Sequence, residues 1–270
     1  MKTTIFTSNS LRHLSLINKI AKISNECNAI VEVKTLFPGQ NKDFFIKSKV
    51  MGKYFIEVDK AEKKYFKKNN FVKDFVRTKM IKQGDLNSLN KEDLKFALNS
   101  DVYIIFGSSY ITNNWLINFL IKKKAINIHM GLSPFYRGSS CNFWAMYDNN
   151  PSYVGATIHY LSKGLDSGKI IAHCLPNYRE NNFFDYTMSS VLTAQNCLKY
   201  LISSKKIFKV NAKKQDKSYE IRYSRNKEFN NKTVKKFSKF KKTNFKNIFN
   251  KNHHLKDLLI NPYYFNKNNY

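Results

Sequence analysis

An amide, an imidazole and a carboxylate stand in this chain as Asn127, His129 and Asp166. Together they suit the movement of an acyl group onto an amine. Such a transfer passes through a tetrahedral centre whose oxygen becomes anionic, and one well-placed donor at that oxygen is worth roughly 2.7 to 4 kcal/mol. The attacking amine must lose protons and the leaving nitrogen must gain one, so an acid/base group has to stand close by. Asn127 and His129 open the stretch Asn127-Ile-His-Met-Gly131-Leu-Ser-Pro134-Phe-Tyr-Arg137-Gly138, and Asp166 follows within Gly164-Leu-Asp-Ser-Gly168. If Lys124 to Ile128 is a strand, residues two apart project to one face, so Asn127 and His129 can act on the same atom.

Those residues need a scaffold, and the preceding sequence supplies alternating strands and helices. Thr3–Thr7 is β-rich, and Leu11, Leu14, Ile17 and Ile20 then recur at helical spacing after a polar turn. Ala29–Val33 reads as a second strand, Phe37–Asn41 as a break and Tyr54–Val58 as a further strand. Asp93–Leu98 and Trp115–Ile121 read as helices. Between them, Val102–Phe106 is a continuous apolar run of the kind buried in a parallel sheet. Tyr153–Tyr160 and Lys169–His173 can pair antiparallel around the Asp166 loop, and Asp185–Ile202 is a helix that packs back on the sheet.

The predicted class is therefore α/β: a Rossmann-like, doubly wound, mostly parallel sheet. Ligands bind such sheets beyond the carboxyl ends of the strands, where the Asn127/His129 strand finishes. The expected organisation is a catalytic domain over residues 1–202 and a basic, Lys/Asn-rich carboxyl-terminal extension over 203–270. Trp144 falls on an expected helix as a core residue.

Several motifs in order carry a resemblance. Asn-x-His, Pro134-x-Tyr-Arg-Gly138, Val154-Gly-Ala-Thr157-Ile-His159 and Leu165-Asp-x-Gly168 resemble the folate-dependent formyltransferases. That family spans glycinamide ribonucleotide, methionyl-tRNA and sugar N-formyltransferases. The resemblance covers roughly residues 100 to 180. It implies 10-formyltetrahydrofolate as formyl donor and a small-molecule primary amine as acceptor. It also implies Asn127, His129 and Asp166 as the catalytic set, with His159 a further pocket histidine that meets the substrate. In the family a loop like Gly107–Ile111 lines the pteridine pocket, which places Ser108, Tyr110 and Ile111 on one wall. The Leu161–Asp166 loop, with Leu165, closes the other.

Departures from the family bear on the acceptor. The purine-pathway members carry a glycine-rich first turn that cradles phosphate, whereas here the turn is Ser8-Asn-Ser-Leu-Arg-His13. Ser8, Arg12 and the helix amino terminus are the remaining means of holding a phosphate. Arg137 could meet an acceptor anion through its planar fork, or could brace the loop by bonding carbonyls. Residues 203–270 are too few and too irregular for the β-barrel of the tRNA enzymes. By elimination, the expected acceptor is an amino sugar on a nucleotide. Another amine, methionyl-tRNA included, is the alternative, as is water in a formyltetrahydrofolate hydrolase.

Composition narrows the classes further. The 270-residue chain is 42% hydrophobic, with 22 Phe and 16 Tyr, which argues against disorder over most of its length. Its 47 Lys and Arg against 19 Asp and Glu give a net charge of +28. Such a charge fits a polyanionic partner, nucleic acid included, bound through a tail such as Lys235–Lys242; the abundance of Lys and Asn equally fits drift of an AT-rich coding sequence. The four cysteines lack any Cys-x-x-Cys pairing, so neither a zinc site nor a disulfide framework is expected and a reducing cytoplasm is. No stretch reaches the roughly 18 apolar residues of a membrane span.

Overall fold

Strand β1 (Lys2–Ser8) enters the middle of a seven-stranded sheet, with β2 (Glu26–Val33) and β3 (Arg77–Lys82) on one side. On the other side lie β4 (Val102–Phe106), β5 (Ile126–His129), β7 (Ala156–Tyr160) and β8 (Ile170–Cys174). The order is β3-β2-β1-β4-β5-β7-β8, parallel through β5 and antiparallel thereafter. This computed structural model describes residues 1–33, 48–67, 71–237 and 253–266. The expected break at Phe37–Asn41 lies outside the described residues, as does Lys235–Lys242 beyond residue 237.

Helices α1 (Leu11–Ala21), α2 (Lys49–Phe66) and α5 (Phe183–Ser203) cover one face of the sheet, and α3 (Asn114–Lys122) covers part of the other. Alternation within the strands decides which residue faces which layer. Ile5, Ile104, Ile126 and Ile128 join the core beneath α1 and α5, whereas Phe6, Tyr103 and Ile105 join the core beneath α3. All five residues of β4 are buried, as a parallel strand covered on both faces must be. Because Ile126 and Ile128 point one way, Asn127 and His129 point the other, at the carboxyl end of β5.

Tyr54–Val58, read as a strand from its aromatic and branched residues, lies inside α2. Met51, Tyr54, Val58, Ala61 and Tyr65 repeat at spacings of three and four, so together they bury one helical stripe, and the Ser48 hydroxyl caps the amino end by accepting from the Met51 N–H. Burial of a helical face outweighed local β-propensity. Strand β3 is only partly buried at the sheet edge and lacks the apolar run that would mark it in the sequence.

A second, smaller core lies beside the sheet around α4 (Cys141–Tyr147), which buries Phe143 and Trp144. Next to it β6 (Tyr136–Gly138) pairs in parallel with β9 (Arg222–Ser224) from the carboxyl-terminal part of the chain. The short helices α6 (Asn231–Phe237) and α7 (His253–Leu258) add Val234, Phe237 and Leu255 to the same core.

Candidate active site

Asn127, His129 and Asp166 converge as their types suggested. The Asp166 carboxylate stands 3.2 Å from His129 Nδ1, and its other oxygen is 3.4 Å from the Asn127 amide nitrogen. His159 joins them because antiparallel register sets it directly opposite Asn127. Its Nε2 lies 3.0 Å from the Asn127 amide and 3.7 Å from Asp166 Oδ1. His159 Nδ1 faces the Tyr160 carbonyl at 2.9 Å and donates to it, while Nε2 turns toward Asn127 and Asp166. His129, His159 and Asp166 are all buried.

The two ring nitrogens of His129 both face acceptors: Asp166 at Nδ1, and the Tyr136 carbonyl at Nε2, 3.2 Å away. Only a doubly protonated ring satisfies both. Burial nevertheless lowers the His129 pKa below its ordinary value, against the opposing pull of Asp166. Burial alone would push the Asp166 carboxyl up, but His129, His159 and the Gly138 backbone N–H together outweigh it and hold it down. A proton arriving on His129 would find two acceptors already in place.

Asp166 itself adopts the left-handed conformation, φ 48°, which turns its side chain back toward β5. The same loop shows what Arg137 does. One guanidinium nitrogen donates to the Leu165 carbonyl at 2.7 Å and another pairs with Glu220 at 2.7 Å. These contacts brace the loop, one of the two roles open to Arg137, which is not among the residues that line the cleft above the site.

A cleft of about 490 Å³ opens over these groups. Ser108, Tyr110 and Ile111 line one wall, Leu165 and Asp166 the other, with Ser8 and Arg12 at the far end and Asn127, His129 and His159 at the floor. Every residue singled out from the sequence lines it except Arg137. The Tyr110 hydroxyl reaches across to donate to the Lys163 carbonyl at 3.1 Å, so the two walls touch.

Two features of the far end were not legible in the sequence. In the first turn Glu62 of α2 accepts from the Arg12 N–H at 2.9 Å and from its guanidinium at 2.7 Å. A carboxylate from another element therefore already sits at the amino end of α1, where the helix dipole favours negative charge. Arg12 thus faces Glu62, and the Ser8 hydroxyl bonds His13 Nδ1 at 3.0 Å, while both residues still line the cleft. His13 is the second feature. Buried against Gly107, it lines the cleft as a third imidazole, and burial holds it neutral. Its position in the quoted turn was the only signal that could have found it. Among the described residues no cluster of ligating side chains could hold a metal, and no helix is long and apolar enough to cross a membrane.

Comparison with known proteins bears on this geometry directly. A family model described as formyl transferase matches residues 49–182, a span that holds α2 to β8 and every group on the cleft floor. Over that span the chain is similar to the formyl transferase family. It is 32% identical over 85 residues to methionyl-tRNA formyltransferase of Clostridioides difficile, covering 32% of this chain and 27% of that protein. It is 28% identical over 122 residues to formyltetrahydrofolate deformylase 2, mitochondrial, of Arabidopsis thaliana, covering 44% of this chain and 36% of that one. The chain thus aligns with well under half the length of these curated relatives. The N-formyltransferase of Helicobacter canadensis, solved with folinic acid and dTDP-3-aminofucose, shares the fold with a TM-score of 0.50. That likeness covers 85% of this chain and 73% of the other at 15% identity.

Proposed function

We propose that this chain transfers a formyl group from 10-formyltetrahydrofolate to a primary amine, and that the acceptor is an amino sugar carried on a nucleotide. The observation that carries the reading is the convergence of Asn127, His129 and Asp166 at the carboxyl end of β5, on the floor of a cleft with two loop walls. When bound, the folate donor supplies the carbonyl carbon that the amine attacks. The Asn127 amide lies where it can donate to the oxygen as it becomes anionic. The His129/Asp166 pair takes the proton the amine loses and returns one to the departing nitrogen, so bond making and bond breaking balance in protons.

Two observations support the acceptor. It draws on the Helicobacter canadensis relative, whose structure holds a nucleotide-linked amino sugar. It draws also on Glu62, whose carboxylate disfavours a phosphate at the first turn. A cytoplasmic location fits the four cysteines, all reduced and buried. Water in place of the amine would make the protein a hydrolase, a reading favoured by the Arabidopsis thaliana deformylase match.

One experiment separates these readings. The purified protein is incubated with 10-formyltetrahydrofolate and a panel of nucleotide-linked amino sugars, aminoacylated tRNA and buffer alone. Formylation of a sugar is expected. Transfer only to another amine overturns the acceptor, folate release without an acceptor establishes the hydrolase, and no turnover of the donor in any arm overturns the reaction.

A further inference from the structure

The Asp166 loop is held by a segment far from the motifs. Gln215 stretches its amide nitrogen between two carbonyls of that loop, donating to Asp166 O at 2.7 Å and to Gly168 O at 2.8 Å. Arg137 caps the Leu165 carbonyl just ahead of them in the loop and is itself anchored by Glu220. The segment that carries Gln215 and Glu220 is fastened at both ends. Lys213 exchanges both backbone hydrogen bonds with Ile170 of β8, and the Ile221 and Arg222 N–H groups donate to the Phe135 carbonyl just ahead of β6.

We propose that Gln215 is a positioning residue for the Asp166 carboxylate, so that residues 213–224 complete the active site as a strap. The inference rests on the proposed formyl-transfer reading of the site. Asp166 sits in the left-handed region, which an L residue adopts at a cost that the surroundings must offset. Two hydrogen bonds from one side-chain amide, to the carbonyls of Asp166 and Gly168, fix the peptide planes that leave that residue and so hold the turn that aims the carboxylate at His129. Neither Gln215 nor any other strap residue reaches the cleft floor, so the strap acts through the loop.

The test uses the full chain and two variants. Gln215→Ala removes both donors, and Gln215→Glu keeps the shape while turning the donor nitrogen into an acceptor that repels both carbonyls. Formyl transfer gives kcat and the KM for donor, and nitrogen-15 NMR follows the His129 ring through its titration. For both variants kcat falls by about a hundredfold, the scale of loss for a misplaced catalytic group, while KM for donor changes little. In the same variants the His129 titration moves to lower pH, because the carboxylate that raises it has swung away. For Gln215→Glu part of the loss is recovered as the pH is lowered, since a protonated carboxyl again donates one bond. If both variants lose only thermal stability, with kcat and the His129 titration as in wild type, the proposal is overturned. If the wild type transfers no formyl group, the reaction assignment fails. The NMR titration then still decides whether Gln215 aims Asp166.

Discussion

Asp166→Asn isolates the acid/base group with little disturbance to the backbone, because asparagine tolerates the left-handed conformation that residue 166 adopts. In the state with His129 protonated, opposite unit charges 3.2 Å apart interact by about 5 kcal/mol at an effective dielectric of about 20. Burial of the carboxylate offsets part of this, and we take about half, roughly 2 to 3 kcal/mol, as the net stabilisation of the charged ring. At about 1.4 kcal/mol per factor of ten, that is a loss of about 30- to 150-fold. Removal of the proton acceptor itself costs a further factor of about a hundred or more. The variant should therefore lose at least about a thousandfold in kcat. Donor affinity should change little, since the donor walls lie in the 107–111 and 161–165 loops. Single-turnover transfer from labelled 10-formyltetrahydrofolate measures the first quantity and equilibrium titration of the unlabelled folate the second. Turnover within a few-fold of wild type would refute the acid/base role and the electrostatic reasoning together.

Two further outcomes test the fold around the site. His173 is buried with Nε2 donating to the Ser133 carbonyl and Nδ1 accepting from the Ile260 N–H; burial holds its pKa down to about 4 against an ordinary value of 6.5. The unfolded chain binds a proton that the folded chain refuses, so stability present above pH 6.5 declines as the pH falls toward 4, by about 3 kcal/mol. Asp166, whose carboxyl is depressed, works in the same sense but only below the ordinary carboxylate range. Because buried His13 and His129 titrate in the same sense, urea unfolding at about pH 7 and about pH 4.5 is run on the wild type and His173→Gln; the difference measures the His173 contribution, and an equal pH dependence in both would rule out its burial as a neutral ring. Gly138, at φ 91°, passes so close to β9 that an added Cβ would lie 2.0 Å from the Ser224 carbonyl oxygen. Gly138→Ala should lose about 2 to 3 kcal/mol and weaken the β6–β9 pairing; an unchanged urea midpoint speaks against that contact.

How much could be read from the chain depended on the range of the forces involved. The strand Val102–Phe106, the pairing around Asp166 and the α5 helix were legible because their signals are local: apolar continuity, alternation and a period near 3.6. Tyr54–Val58 misled because its β-rich composition is also local, whereas the stripe that makes it helical is completed by Met51, Ala61 and Tyr65. The strap's contacts were invisible for a related reason. A Lys- and Asn-rich stretch has no period, and nothing in its composition marks one glutamine as the partner of two loop carbonyls.

Residue type and order alone determined that an amide and an imidazole share one strand face, that a carboxylate follows in a tight loop, and that strands and helices alternate to carry them. Those are consequences of side-chain chemistry and of the two-residue repeat of a strand. Only the tertiary structure decided which groups each functional side chain would face. It set His159 against Asn127 through antiparallel register, turned Arg137 onto the Leu165 carbonyl, and filled the amino end of α1 with Glu62. Gln215, 49 residues beyond Asp166, became its loop's clamp in the same way. Hydrogen bonds and ion pairs act over about 3 to 4 Å, and distances that short between remote residues exist only once the chain has folded.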